Sequence, residues 1–185
     1  RRLSIIDLDA SANQPMHYLD RYTIVFNGEI YNYLELKSQL VDKGYSFRTK
    51  SDTEVLLALY DYKKEKLLEE VDGMFAFCIY DLEKNSLFIA RDHFGIKPFY
   101  YYANDNKIFS FGSEIKSILE DARYEKSINT DAIYHYLQYQ YNPLRETFFK
   151  NIFTLLPGHT MTINTSDNSF EINQYYEFSF DNDEN

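Results

Sequence analysis

Hydrophobic positions along the chain follow two different periods. Residues 22–26 (YTIVF) are β-branched and aromatic, and they predict a strand that runs into Asn27-Gly28. Asn-Gly between apolar runs is the strongest short-range hairpin signal in a sequence. The next segment, however, is helical: residues 32–43 (NYLELKSQLVDK) place Leu34, Leu36, Leu40 and Val41 on a rough stripe, and Gly44 reads as a C-cap. Asn27-Gly28 is therefore expected to join a strand to a helix. A second helix opens at Ser51-Asp52-Thr53-Glu54, where Ser51 would cap an amide and Glu54 would reach back to close a capping box. Val55, Leu56, Leu59 and Tyr60 continue it on one face.

From Gly73 the period changes to that of strands: 74–82, 86–92, 98–105 and 107–113, with turns at 83–85 and 104–106. This spells an antiparallel meander. MFAFCIY and SLFIA are apolar without interruption, which predicts strands covered on both faces, by helices on one side and a second sheet on the other. Short helices are expected over 114–121 and 130–138, and a late hairpin over 159–164 and 170–176. The final DNDEN is acidic and reads as a frayed tail or the start of a linker, so residues 1–176 form the expected domain and 177–185 its tail. The fold class is α+β.

Composition enters mainly by exclusion. A net charge of −10 with no basic cluster argues against a nucleic-acid surface, and no apolar run reaches the length of a membrane helix. One cysteine, Cys78, excludes an internal disulfide and a multi-cysteine metal site, and the histidines at 17, 93, 135 and 159 never fall in ligand pairs. No metal and no cofactor are expected in this domain, and a cytoplasmic setting fits the cysteine usage. The 18 Tyr and 15 Phe, with no Trp, suit half-covered sheet faces.

Three segments carry more specific information: Arg2-Leu3-Ser4-Ile5-Ile6-Asp7, Asn27-Gly28-Glu29-Ile30-Tyr31-Asn32 and Ser51-Asp52-Thr53-Glu54. Asn13-Gln14-Pro15, Gly73-Met74-Phe75-Ala76-Phe77, the run Arg91 to Tyr100, and Leu156-Pro157-Gly158-His159 accompany them in order. Together they resemble the glutaminase domain of glutamine-hydrolysing asparagine synthetases, which are class II glutamine amidotransferases and N-terminal-nucleophile hydrolases. The resemblance runs from Arg1 to about Tyr176.

That resemblance implies a four-layer αββα sandwich of antiparallel sheets, truncated here at its N-terminus. It implies that Arg2 grips the α-carboxylate of glutamine through its forked guanidinium, and that the backbone of Leu3, Ser4, Ile5 and Ile6 lines the substrate. Asp52 would receive the α-ammonium, although an Asp in the first helical turn also favours the helix dipole. Glu29 would add a further glutamine contact, with a plain surface role as the alternative. Asn27 and Gly28 would hold the oxyanion of the tetrahedral intermediate through a side-chain amide and a backbone amide.

The resemblance also implies a nucleophilic N-terminal cysteine whose own α-amine acts as base. Residue 1 is Arg, and Cys78, between Phe77 and Ile79, reads as a buried inert thiol. Arg91 to Pro98 reads as an ordered loop with an internal ion pair, or else as a contact to a synthetase domain. The parent is expected to use ATP and Mg in that separate domain to amidate aspartate; another carboxylate acceptor, or a non-catalytic glutamine-sensing module, stays open. An open sheet edge would allow a homo-oligomer. The 185-residue chain by itself is expected not to hydrolyse glutamine, and ammonia release unaffected by Cys78→Ala would contradict this.

Overall fold

The computed structural model describes residues 12–178. A six-stranded antiparallel sheet has the order β1 (Met16–Tyr18), β2 (Tyr22–Ile30), β3 (Gly73–Asp81), β4 (Ser86–Arg91), β8 (His159–Asn164), β9 (Phe170–Gln174). A second sheet sets β5 (Tyr100–Asn104) between β6 (Lys107–Gly112) and β7 (Ile152–Thr154). Helices α1 (Tyr33–Asp42) and α2 (Asp52–Lys63) form one outer layer, and the short α3 (Ile115–Ile118) lies against the far sheet. A fourth helix, α4 (Thr130–Tyr139), comes after it in the chain.

Side-chain alternation assembles these layers. On β3, Phe75, Phe77 and Ile79 point to the helices and join Leu36, Leu40, Leu56 and Leu57 in one core. The intervening Ala76 and Cys78 face the other way, where they meet Phe99, Tyr101 and Ile108 of the second sheet. A third cluster, Tyr102 and Ile152 with Ile118 and Tyr124, seals α3 onto the back. The chain is thus an αββα sandwich, and the uninterrupted apolar runs belong to strands buried on both faces.

The structure corrects the predicted role of Asn27-Gly28. β2 does not end there: it continues to Ile30, with Asn27 opposite Ala76 and Gly28 opposite Phe75. Glycine is needed because the strands approach closely. A Cβ at Gly28 would lie 2.1 Å from the Met74 carbonyl oxygen, and one at Gly73 would lie 2.3 Å from that of Glu29. The turn into α1 is made instead at Asn32, which donates from Nδ2 to Glu70 O (2.8 Å) and accepts at Oδ1 from Asp72 N (3.0 Å).

Three further expectations change. The four strands expected as one meander divide into two hairpins in different sheets: β4 pairs with β3 and β8, while β5 pairs with β6 and β7. Ser51 does cap α2, accepting from Thr53 N at 3.2 Å, but Glu54 does not close the box on it. Its carboxylate instead accepts from Arg48 N, Thr49 N and the Thr49 hydroxyl, at 2.6–3.1 Å, and so pins the loop ahead of the helix. The helix expected over 114–121 shrinks to α3. A left-handed Lys64 (φ 55°) ends α2, and a 3-10 turn over Lys64–Glu69 comes next, which helical periodicity alone does not separate from α2. β1 and β7 are three residues each and leave too little pattern to read.

One buried ion pair fixes the far end of β2. Asp81 is 0% exposed, and Arg21 Nε and Nη2 meet its two oxygens at 2.8 Å each. Asp81 Oδ1 also accepts from Glu83 N at 3.1 Å, closing the β3–β4 turn. Burial alone would raise the Asp81 pKa, but the Arg21 fork and the turn amides outweigh it and hold it below the ordinary carboxylate value. A depressed carboxylate stabilises the fold above its unfolded pKa, near about 3.9, and loses that contribution as pH falls through the folded value. Asp81→Asn is therefore expected to melt well below the parent chain at pH 7, the gap closing as pH drops through the carboxylate range. Equal melting temperatures at pH 7 contradict this.

Candidate active site

The outer edge of β2 builds the site. β1 pairs with β2 only from Tyr22 to Ile24, so the next amides on that edge need other acceptors. Two side chains provide them: Gln14 Oε1 accepts from Phe26 N at 2.7 Å, and Asp52 Oδ2 accepts from Ile30 N at 3.1 Å. Amides alternate along a strand, so the Gly28 N–H points to the same edge, between these two. It has no partner among the described residues. Gly28, Asn27 and Asp52 all line one cavity of about 520 Å³, which reaches between the sheets to Phe99 and Phe111.

Asn27 lies on the opposite pleat, and its Nδ2 donates to Ser113 Oγ at 3.2 Å. Asp52, the first residue of α2, is 4% exposed. Burial is the main influence on its carboxyl and pushes its pKa up; hydrogen bonds from Ile30 N, Thr53 N and the Ser51 hydroxyl oppose this, and the charge of Glu29 adds to the rise. A carboxylate held uphill in a cavity is a functional signature, because the site stabilises its charge less than water does.

Of the residues singled out from sequence, Asn27, Gly28 and Asp52 are thus brought together. Glu29 is half-buried on β2 and acts on Asp52 through charge but does not line the cavity. Arg2, Leu3, Ser4, Ile5 and Ile6 lie outside the described residues. Cys78 borders the cavity floor but is 4% exposed, and burial raises its thiol pKa far above neutrality. That suits packing and not nucleophilic attack.

Gln14, Lys97 and Ser113 also line the cavity, and sequence reading gave them no role. Gln14 belongs to the Asn13-Gln14-Pro15 motif, yet nothing local says that its side chain serves a strand amide. Ser113 reaches Asn27 across 86 positions. The Arg91–Pro98 loop does not hold the expected internal ion pair: no salt bridge joins Arg91, Asp92 and Lys97. Arg91 donates to Lys97 O, Gly95 O, Leu155 O and the Thr154 hydroxyl, while buried Asp92 accepts from the amides of Phe75, Phe94, Ile96 and Lys97. Both charges are spent mainly on backbone, which fixes the loop that carries Lys97.

Among the described residues no cluster of His, Cys, Asp and Glu could hold a metal ion, and no helix is long and apolar enough to cross a membrane. A family model described as a glutamine amidotransferase domain matches residues 1–176. The chain is 42% identical over 181 residues to glutamine-hydrolyzing asparagine synthetase 1 of Bacillus subtilis, covering 97% of this chain and 28% of that protein. It is 38% identical over 192 residues to putative glutamine-hydrolyzing asparagine synthetase 2 of Methanocaldococcus jannaschii, covering 95% and 36%. The chain thus spans roughly a third of these relatives' length. Among solved structures, a glutamine phosphoribosylpyrophosphate amidotransferase from B. subtilis, complexed with ADP and GMP, aligns with a TM-score of 0.59 at 20% identity, over 88% of this chain and 32% of that one. A second, an allosteric regulatory enzyme of purine biosynthesis, gives 0.61 at 20% identity, over 90% and 32%. Both carry the same fold.

The raised Asp52 pKa has a sign opposite to that of Asp81. A group raised on folding favours the folded state below its unfolded pKa and loses that advantage as pH climbs through the folded value. Asp52→Asn keeps an oxygen for the Ile30 amide and removes the charge. At pH 7 it is expected to melt at or a few degrees above the parent chain, the difference shrinking as pH falls through the carboxylate range. A clearly lower melting temperature at pH 7 contradicts the assignment.

Proposed function

Because this chain belongs to the glutamine amidotransferase domain family, we propose that the cavity at the edge of β2 takes L-glutamine, and that the full encoded protein releases its amide nitrogen as ammonia for a carboxylate acceptor. The observation that carries the reading is the convergence of the Gly28 amide, the Asn27 carboxamide and the Asp52 carboxylate on one cavity. Asp52 receives the α-ammonium, and Arg2 takes the α-carboxylate. The backbone of Leu3, Ser4, Ile5 and Ile6 flanks the substrate, with Glu29 adding negative potential beside the ammonium.

A thiolate adds to the carboxamide carbon, Cδ, of the glutamine side chain, and its carbonyl oxygen becomes an oxyanion held by Gly28 N–H and Asn27 Nδ2. Collapse of the tetrahedral species breaks the carbon–nitrogen bond, and the nitrogen leaves as ammonia after taking a proton. Water then cleaves the thioester to give glutamate. The thiol is an N-terminal cysteine of the family type, since Cys78 is packed between the sheets. Asparagine is the favoured product, because the B. subtilis relative is an asparagine synthetase and the M. jannaschii one is named as a putative asparagine synthetase. ATP and Mg would serve the synthetase step, outside this domain, in the cytoplasm.

In the full encoded protein, L-glutamine is expected to bind by calorimetry, and Asp52→Asn to weaken that binding at least about tenfold, the scale of one charge-assisted bond. Asn27→Ala is expected to lower the kcat of ammonia release by about 10²–10³ with KM little changed. Unchanged turnover in Asn27→Ala, or full affinity in Asp52→Asn, contradicts the proposal.

A further inference from the structure

Resting on the reading of Asn27 as an oxyanion donor, we propose that Ser113 is a positioning residue for the glutaminase step, holding the Asn27 carboxamide at the angle from which it donates. Rotation about the Cβ–Cγ bond of an Asn is broad and weakly hindered, so an unrestrained carboxamide presents its N–H groups over a wide arc. Asn27 Nδ2 carries two hydrogens. One is committed to Ser113 Oγ at 3.2 Å, and that bond leaves the other as the donor facing the cavity that both residues line. An oxyanion donor contributes most when its orientation is set before the charge develops.

Ser113 is itself fixed. It lies in the short link between β6 and α3, where Ser117 closes the turn by donating from N and Oγ to Glu114 O at 3.1 and 2.6 Å. Ser117 Oγ packs against Gly112, where a Cβ would lie 2.8 Å from it, so the turn folds back onto the end of β6. The hydroxyl is thus delivered from the second sheet to a residue of the first. The link gives a role to a serine that lines the cavity from the second sheet.

The test is a double-mutant cycle on ammonia release by the full encoded protein. Ser113→Ala is expected to lower kcat about tenfold, less than the ~10²–10³ for losing a donor outright, with KM within about twofold. Ser113→Thr, which keeps the hydroxyl, restores kcat to within about threefold. Added to Asn27→Ala, Ser113→Ala has no further effect. Parent-like kcat in Ser113→Ala, or an effect that multiplies with Asn27→Ala, overturns the inference while the oxyanion reading stands. Parent-like kcat in Asn27→Ala overturns both. A Ser113→Ala defect that Ser113→Thr fails to rescue also counts against the hydroxyl.

Discussion

Backbone amides taken out of water must find acceptors, and the outer edge of β2 meets that constraint unevenly. Beyond Ile24 no described strand pairs with it. Gln14 and Asp52 reach in with side-chain oxygens and satisfy the amides on either side of Gly28. The amide between them faces a cavity. An anion that develops there meets a donor already aimed, with no rearrangement needed. β2 and β3 approach closely at Gly28 and Gly73, and the Arg21–Asp81 pair anchors the other end of β2.

Two buried aspartates divide stability from function. Asp81 is matched by a cation in two-point contact and sits below its ordinary pKa, so it holds the fold together at neutral pH. Asp52 has amides and hydroxyls for company, no cation, and a raised pKa. An incoming ammonium would supply the missing charge. This is the pattern expected when a site gives up stability to keep a ligand position open.

Much of the architecture was legible because burial on both faces leaves an unmistakable signature: Phe75 and Phe77 alternate with Ala76 and Cys78, and every one of them is apolar. The hairpin turns at 83–85 and 104–106 were legible from Asn, Asp and Lys, but not that the two hairpins belong to different sheets. What escaped was whatever depends on partners distant in sequence. Asn27-Gly28 carries a turn's letters, yet Gly28 is small because Met74 O is close, and only the β2–β3 register reveals that. Glu54 reads as half of a capping box but serves Arg48 and Thr49. Ser113, 86 positions from Asn27, has no local mark at all. Asn27, Gly28 and Asp52 were found through motif resemblance, since three polar residues on separate elements have no common period.

The most direct measurement tracks the backbone amide resonance of Gly28, by selective nitrogen-15 labelling of glycine and asparagine, as L-glutamine is added to the full encoded protein. The account predicts a saturable shift of the Gly28 signal, accompanied by the Asn27 side-chain amide, with L-glutamate far less effective. A Gly28 signal that stays in place while glutamine saturates the protein, with shifts gathered instead in the second cavity, where the Tyr45 hydroxyl donates to Asp61 at the C-terminal end of α2, would contradict it.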